Sequence, residues 1–131
     1  MSVFIDTSAF YAILDRDDGN HSPAAERWGL LLDKGEALHT TNYVVVETSA
    51  LVQHRLGMQA ARLFTDDVMP MVAAFWITEA VHRLAAAAWL TSSRRKLSLV
   101  DCASFAVMRE LRIRRAFAFD AHFSEQGFQP D

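Results

Sequence analysis

The sequence is poor in sulfur, in turn formers and in positive charge. One cysteine, Cys102, stands among 131 residues. That excludes an internal disulfide framework and a cysteine-built zinc site, and it fits a reducing compartment. Five glycines and three prolines fall singly, as turn punctuation rather than as a linker or low-complexity tract. The 13 lysines and arginines are outnumbered by 16 aspartates and glutamates, for a net charge of −3. An overall basic field for gripping nucleic acid is therefore absent, and any such binding must rely on a local patch. Long hydrophobic runs are missing too. The longest, Val68–Ile77, contains Pro70 and is about half a membrane span. The first, Val3–Ile5, runs into Asp6 without a cationic leader. A soluble, cytoplasmic protein with no membrane association is expected.

Apolar residues make up 51% of the chain and charged residues 22%, ordinary for a globular protein. A single domain of this length buries roughly 70% of the surface its unfolded chain exposes, enough for a real core. Val3–Ile5, Ala37–Thr40, Ala73–Ile77 and Ala116–Phe119 are short apolar runs that predict strands. Between them lie amphipathic helical stretches: Thr7 to Leu14, Ala24–Leu32, Tyr43–Leu56, Gln59–Val68, Glu79–Leu90 and Ser98 to Leu111. Thr41 or Asn42, Thr78 and Ser98 are placed as N-caps, and Gly35 and Gly57 as helix ends. Short strands separated by helices predict an α/β fold, a three-layer α/β/α sandwich with a short central parallel sheet.

Four apolar stretches end in a single acid: Val3-Phe4-Ile5 in Asp6, Val44-Val45-Val46 in Glu47, Leu99-Val100 in Asp101, and Phe117-Ala118-Phe119 in Asp120. Asp6 and Asp120 follow predicted strands, at the sheet edge where open parallel sheets bind ligands. Each has a structural alternative. Asp6 and Asp120 suit helix caps, and Ser98-Leu99-Val100-Asp101 fits a capping box. Glu47 has no such role, since it sits inside an apolar helix. Buried acids cost several kcal/mol each unless paired or metal-bound, and no basic residue stands three or four positions from Glu47 or Asp101 to pair with them. A divalent cation is the simplest device for holding four carboxylates together, and an oxygen-only set favours Mg²⁺ or Mn²⁺.

The segments Val3-Phe4-Ile5-Asp6-Thr7-Ser8-Ala9-Phe10, Val46-Glu47-Thr48-Ser49-Ala50-Leu51, Leu99-Val100-Asp101-Cys102-Ala103-Ser104 and Phe117-Ala118-Phe119-Asp120-Ala121-His122-Phe123 resemble, in order and separation, the PIN-domain ribonucleases. The likeness is greatest to the VapC-type toxins of bacterial toxin–antitoxin pairs. It implies one PIN-like nuclease domain over residues 1–131, in which Asp6, Glu47, Asp101 and Asp120 are metal-binding and catalytic. It further implies an RNA substrate, an antitoxin protein partner and a homodimer. Many relatives carry a hydroxyl two residues before the fourth acid and an Asp two after it; here Ala118 and His122 stand there. A non-catalytic interaction module on the same fold, or another acidic-pocket phosphotransfer domain, is the alternative. Arg94-Arg95-Lys96, just before the Asp101 helix, is the one basic cluster placed to meet phosphates.

Overall fold

The computed structural model describes residues 1–131 without a gap. Five strands, β1 (Ser2–Ile5), β2 (Ala37–Thr41), β3 (Ala73–Phe75), β4 (Arg115–Phe117) and β5 (Gln129–Pro130), form one sheet in the order β3-β2-β1-β4-β5. All neighbouring pairs are parallel; Phe4 in β1 faces His39 in β2 on one side and Ala116 in β4 on the other. Helices α1 (Thr7–Leu14) and α2 (His21–Asp33) link β1 to β2. Helices α3 (Asn42–Leu56) and α4 (Met58–Leu63) link β2 to β3, α5 (Glu79–Ser92) and α6 (Leu99–Glu110) link β3 to β4, and α7 (His122–Glu125) precedes β5. Parallel crossovers are right-handed. Links running from β1 toward β3 therefore cover one face of the sheet, and links running back past β1 toward β5 cover the other. The expected α/β class with a central parallel sheet is the observed one.

The central strand carries the core. Val3, Phe4 and Ile5 have no exposed surface, as a strand flanked on both edges and both faces requires. Phe4 packs on Phe123 with ring centroids 6.1 Å apart, and Phe105 of α6 meets Phe123 at 5.1 Å and Phe128 at 5.9 Å. Phe10 of α1 stands edge-on to Phe64 at 5.2 Å. Thr41, Thr78 and Ser98 cap α3, α5 and α6 as the local sequence predicts, each hydroxyl accepting from a backbone N–H of the first turn. Gly57, at φ 93°, ends α3 with a backbone conformation that a side chain would strain.

Several boundaries differ from expectation. The predicted Gln59–Val68 helix is regular only to Leu63; Phe64–Val68 form one wider π-type turn that buries Phe64 and Val68 before Pro70. Strand β3 stops at Phe75, and β4 stops at Phe117, leaving Ala118–Asp120 as a loop at the carboxyl edge. Neither α7 nor β5 was foreseen. They are four and two residues long, too short for a periodic pattern. No helix is long and apolar enough to cross a membrane.

One consequence of this strand order governs the site. From β1 the chain goes first to one side of the sheet and later returns to the other. The topological switch point, where open α/β sheets leave a crevice outside the strands' carboxyl ends, thus lies between β1 and β4.

Candidate active site

Asp6 leaves β1 at that switch point. Its backbone N–H extends the β1–β4 pairing by donating to the Phe117 carbonyl at 3.1 Å, and its side chain caps α1. The Ser8 N–H and hydroxyl both donate to Asp6 Oδ2, at 3.3 and 2.8 Å. Asp101 lies in the first turn of α6 within a complete capping box. The Ser98 N–H donates to Asp101 Oδ2 at 3.1 Å, and the Asp101 N–H to the Ser98 hydroxyl at 3.0 Å. Asp120 ends the loop after β4, where its Oδ1 accepts the His122 N–H at 2.9 Å. The capping alternatives are thus real, and they coexist with a second arrangement. Asp6, Asp101 and Asp120 each offer a carboxylate oxygen, and these oxygens lie within 4.8 Å of one another.

No lysine or arginine of the protein neutralises the group. None of the ion pairs includes any of the three acids. Asp6 is 4% exposed, and burial together with the neighbouring Asp120 and Asp101 carboxylates pushes its pKa up to about 7 despite the Ser8 hydrogen bonds. Burial, with the Asp120 carboxylate, also raises Asp101 despite the capping bonds from Ser98. Desolvation and like-charge crowding that no lysine or arginine relieves favour either a proton or an external cation. With only oxygen donors, the cluster suits a hard divalent ion.

Glu47 corrects the sequence reading. It was expected on a buried segment beside the other acids, but it is exposed and is not one of the three carboxylates that meet. Helix α3 buries Val44, Thr48 and Val52, one stripe at four-residue spacing. Val46, 68% exposed, and Ala50 point outward with Glu47, so apolar neighbours in sequence did not mean a buried environment. The α3 stripe does reach the site: Thr48 donates its hydroxyl to Thr7 Oγ1 at 3.1 Å, beside Asp6. Glu47 is thus one residue from a direct contact with the α1 N-terminus.

Ser8 is the residue whose role the sequence conceals. Besides holding Asp6, its hydroxyl accepts the Phe119 N–H at 2.9 Å. One oxygen therefore ties the turn after β1 to the loop after β4, across 111 positions. Ser8→Ala removes both bonds. The loss should raise the Asp6 pKa further and lower cation affinity and cleavage about 10- to 100-fold, as outer-shell losses do. A pH–rate profile whose acid limb moves to higher pH checks this; an unmoved limb contradicts it.

Residues 3–129 match the family profile described as "PIN domain". The chain belongs to the PIN-domain family. It is 35% identical over 132 aligned residues to proteins named "23S rRNA-specific endonuclease VapC20" from two strains of Mycobacterium tuberculosis, CDC 1551 / Oshkosh and H37Rv, with 96% of this chain and 95% of each relative covered. The crystal structure of M. tuberculosis VapC20, described as a "Sarcin-Ricin loop cleaving toxin", superposes with a TM-score of 0.86 at 32% identity, covering 96% of this chain and 95% of that one. PIN domains are metal-dependent nucleases, and the relatives are named as an rRNA endonuclease and a loop-cleaving toxin. The resemblance drawn from the four acidic segments is thereby upheld for family, fold and activity.

Proposed function

We propose that this PIN domain hydrolyses a phosphodiester of ribosomal RNA, with Asp6, Asp101 and Asp120 as the residues that hold its divalent ion, Mg²⁺ or Mn²⁺. The observation that carries the assignment is the meeting of three carboxylates from positions 6, 101 and 120, with no lysine or arginine paired to them. Bound there, the ion would polarise a phosphoryl oxygen and lower the pKa of a water. The protein's own part is positioning and charge. The Ser98 capping box and the Ser8 bridge fix two of the carboxylates. Asp6 must lose its proton before it serves as a ligand, so cation binding strengthens as pH rises through about 7. Glu47, standing outside the trio, adds negative field at the edge as a fourth functional acid.

Similarity along nearly the whole of VapC20 supports 23S rRNA, and within it the sarcin–ricin loop, as the substrate. Purified protein incubated with ribosomes and Mn²⁺ should then give one new 5′ end inside that loop. Cuts elsewhere, with that loop intact, would overturn the choice of target. Cytoplasmic action on RNA, one functional unit over residues 1–131, pairing with a second copy and silencing by an antitoxin protein complete the reading. Leu30, Leu32 and Val46, 42%, 40% and 68% exposed, offer apolar surface for such contacts.

Phosphate contact falls to the loop before α6. Arg94 is already engaged with Glu125 at 2.8 Å, whereas Arg95 and Lys96 are exposed and enter no ion pair. Replacing both by Ala should weaken RNA binding at every sequence and flatten its log–log salt dependence by about 0.7 per removed charge. Filter-binding titrations across a salt series measure it, and an unchanged slope would make this loop ordinary surface.

A further inference from the structure

Between α2 and the β4–β5 edge, with the loop that leads to Asp120 in its wall, lies a cavity of about 260 Å³ lined in part by Pro23, Glu26, Arg27, Leu30, Phe119 and Asp131. Pockets for drug-sized ligands run roughly 300–1,000 Å³, so this one admits a single small ring system. Phe119 is the residue before Asp120, its N–H is bound to Ser8, and it is 37% exposed although nearby Phe117 is buried. A large aromatic left open one residue from a nuclease's carboxylate offers a flat face to whatever adjoins the reacting phosphate.

The polar wall is built around Arg27. Asp131, whose side chain is 2% exposed, pairs through Oδ1 with Arg115, and Arg115 is held in turn by Glu36 at 3.3 Å. The second oxygen, Oδ2, stands 3.6 Å from Arg27 Nε without a hydrogen bond. Arg27 is therefore held by charge while none of its N–H groups is used in a hydrogen bond within the protein. A guanidinium with unused donors, tethered by Asp131 in a cavity that also holds Pro23, Leu30 and Phe119, suits a planar ligand with paired acceptors. Among bases, guanine presents O6 and N7 together on one edge, the pair that arginine reads bidentately. A bare anion fits less well, because Glu26 and Asp131 put negative charge on the same walls.

We infer that this cavity is a base-reading subsite in which an unstacked guanine next to the scissile phosphate lies against Phe119 and is read by Arg27. The inference rests on the ribonuclease reading above and adds the base it selects. Two experiments separate the two claims. In the first, the full chain without metal is titrated with GMP, AMP, UMP and ribose 5-phosphate while its amide NMR signals are followed. GMP should shift Arg27, Ala118 and Phe119, and the shifts should be at least several-fold smaller for UMP and ribose 5-phosphate. They should vanish in Arg27→Met and shrink in Phe119→Ala. Equal shifts with ribose 5-phosphate would make the site an anion site, and shifts confined to other residues, or unchanged in Arg27→Met, would likewise overturn the guanine subsite. This outcome does not depend on cleavage. In the second, short RNAs differing at one base beside the cut are cleaved by both forms. Wild type should prefer guanine by about tenfold, within the 1–3 kcal/mol of a bidentate contact, and Arg27→Met should lose that preference. Cleavage with an identical preference in both forms would overturn the inference alone, whereas no cleavage of any RNA by wild type would overturn the ribonuclease reading.

Discussion

Asp6→Asn and Asp101→Asn should each cut RNA cleavage at least about a hundredfold, roughly 3 kcal/mol of transition-state stabilisation, while leaving the fold intact. The separation between the two effects is expected from the local structure. Both acids double as helix caps, Asp6 for α1 and Asp101 in the α6 capping box. Asparagine caps about as well as aspartate, so its carbonyl can keep the Ser8 or Ser98 N–H satisfied. It cannot supply the negative charge a divalent ion needs. Circular dichroism and thermal melting should show folded variants, and cleavage assays with Mn²⁺ should show inactive ones. Full activity in both variants would contradict the assignment of the carboxylates.

The metal-free protein should lose stability as pH rises from about 4 to about 7, and a divalent cation should restore it. The Asp6 carboxyl titrates near 7 when folded and near 4 when unfolded. Between those values the folded state holds a proton that the unfolded state has released, so unfolding becomes easier with each increment of pH. The effect is complete above about pH 7, where it is on the order of 4 kcal/mol. Asp101, also raised by burial, acts in the same direction. Asp15, Glu36 and Glu125, lowered by their partners, act in the opposite sense, so the informative quantity is the difference from Asp6→Asn. That variant should match wild type near pH 4 and exceed it in stability near pH 8 without metal. Cation at a hundred times its dissociation constant should add about 2.7 kcal/mol to wild type and much less to the variant. Urea midpoints at the two pH values, with chelator or with Mg²⁺, measure all of this. Wild type equal to Asp6→Asn at pH 8 in chelator would contradict the account.

The legible and illegible parts of this chain divide along physical lines. Buried parallel strands need continuous apolar runs, so β1 announces itself in Val3-Phe4-Ile5, and Thr78 and Ser98 mark helix starts because orphan N–H groups need a hydroxyl. Strand β5 is Gln129–Pro130, exposed and without side-chain pattern, and only its pairing with Arg115 and Ala116 defines it. The acids show the same division. Asp6 and Asp120 follow strands, whose carboxyl ends face the crevice whatever the details, and Asp101 is located by its cap. Glu47 sits mid-helix, where a rotation of one residue decides between inside and outside, and the exposed Val46 and Ala50 gave the wrong orientation. The Ser8–Phe119 bond is a product of tertiary closure and has no local signal at all.

Diffraction from crystals soaked in Mn²⁺, recorded near the manganese edge, tests the central claim most directly. An anomalous peak bounded by oxygens of Asp6, Asp101 and Asp120, and missing in Asp101→Asn, is the predicted result. A peak elsewhere with this trio left bare, or none at saturating manganese, would contradict it.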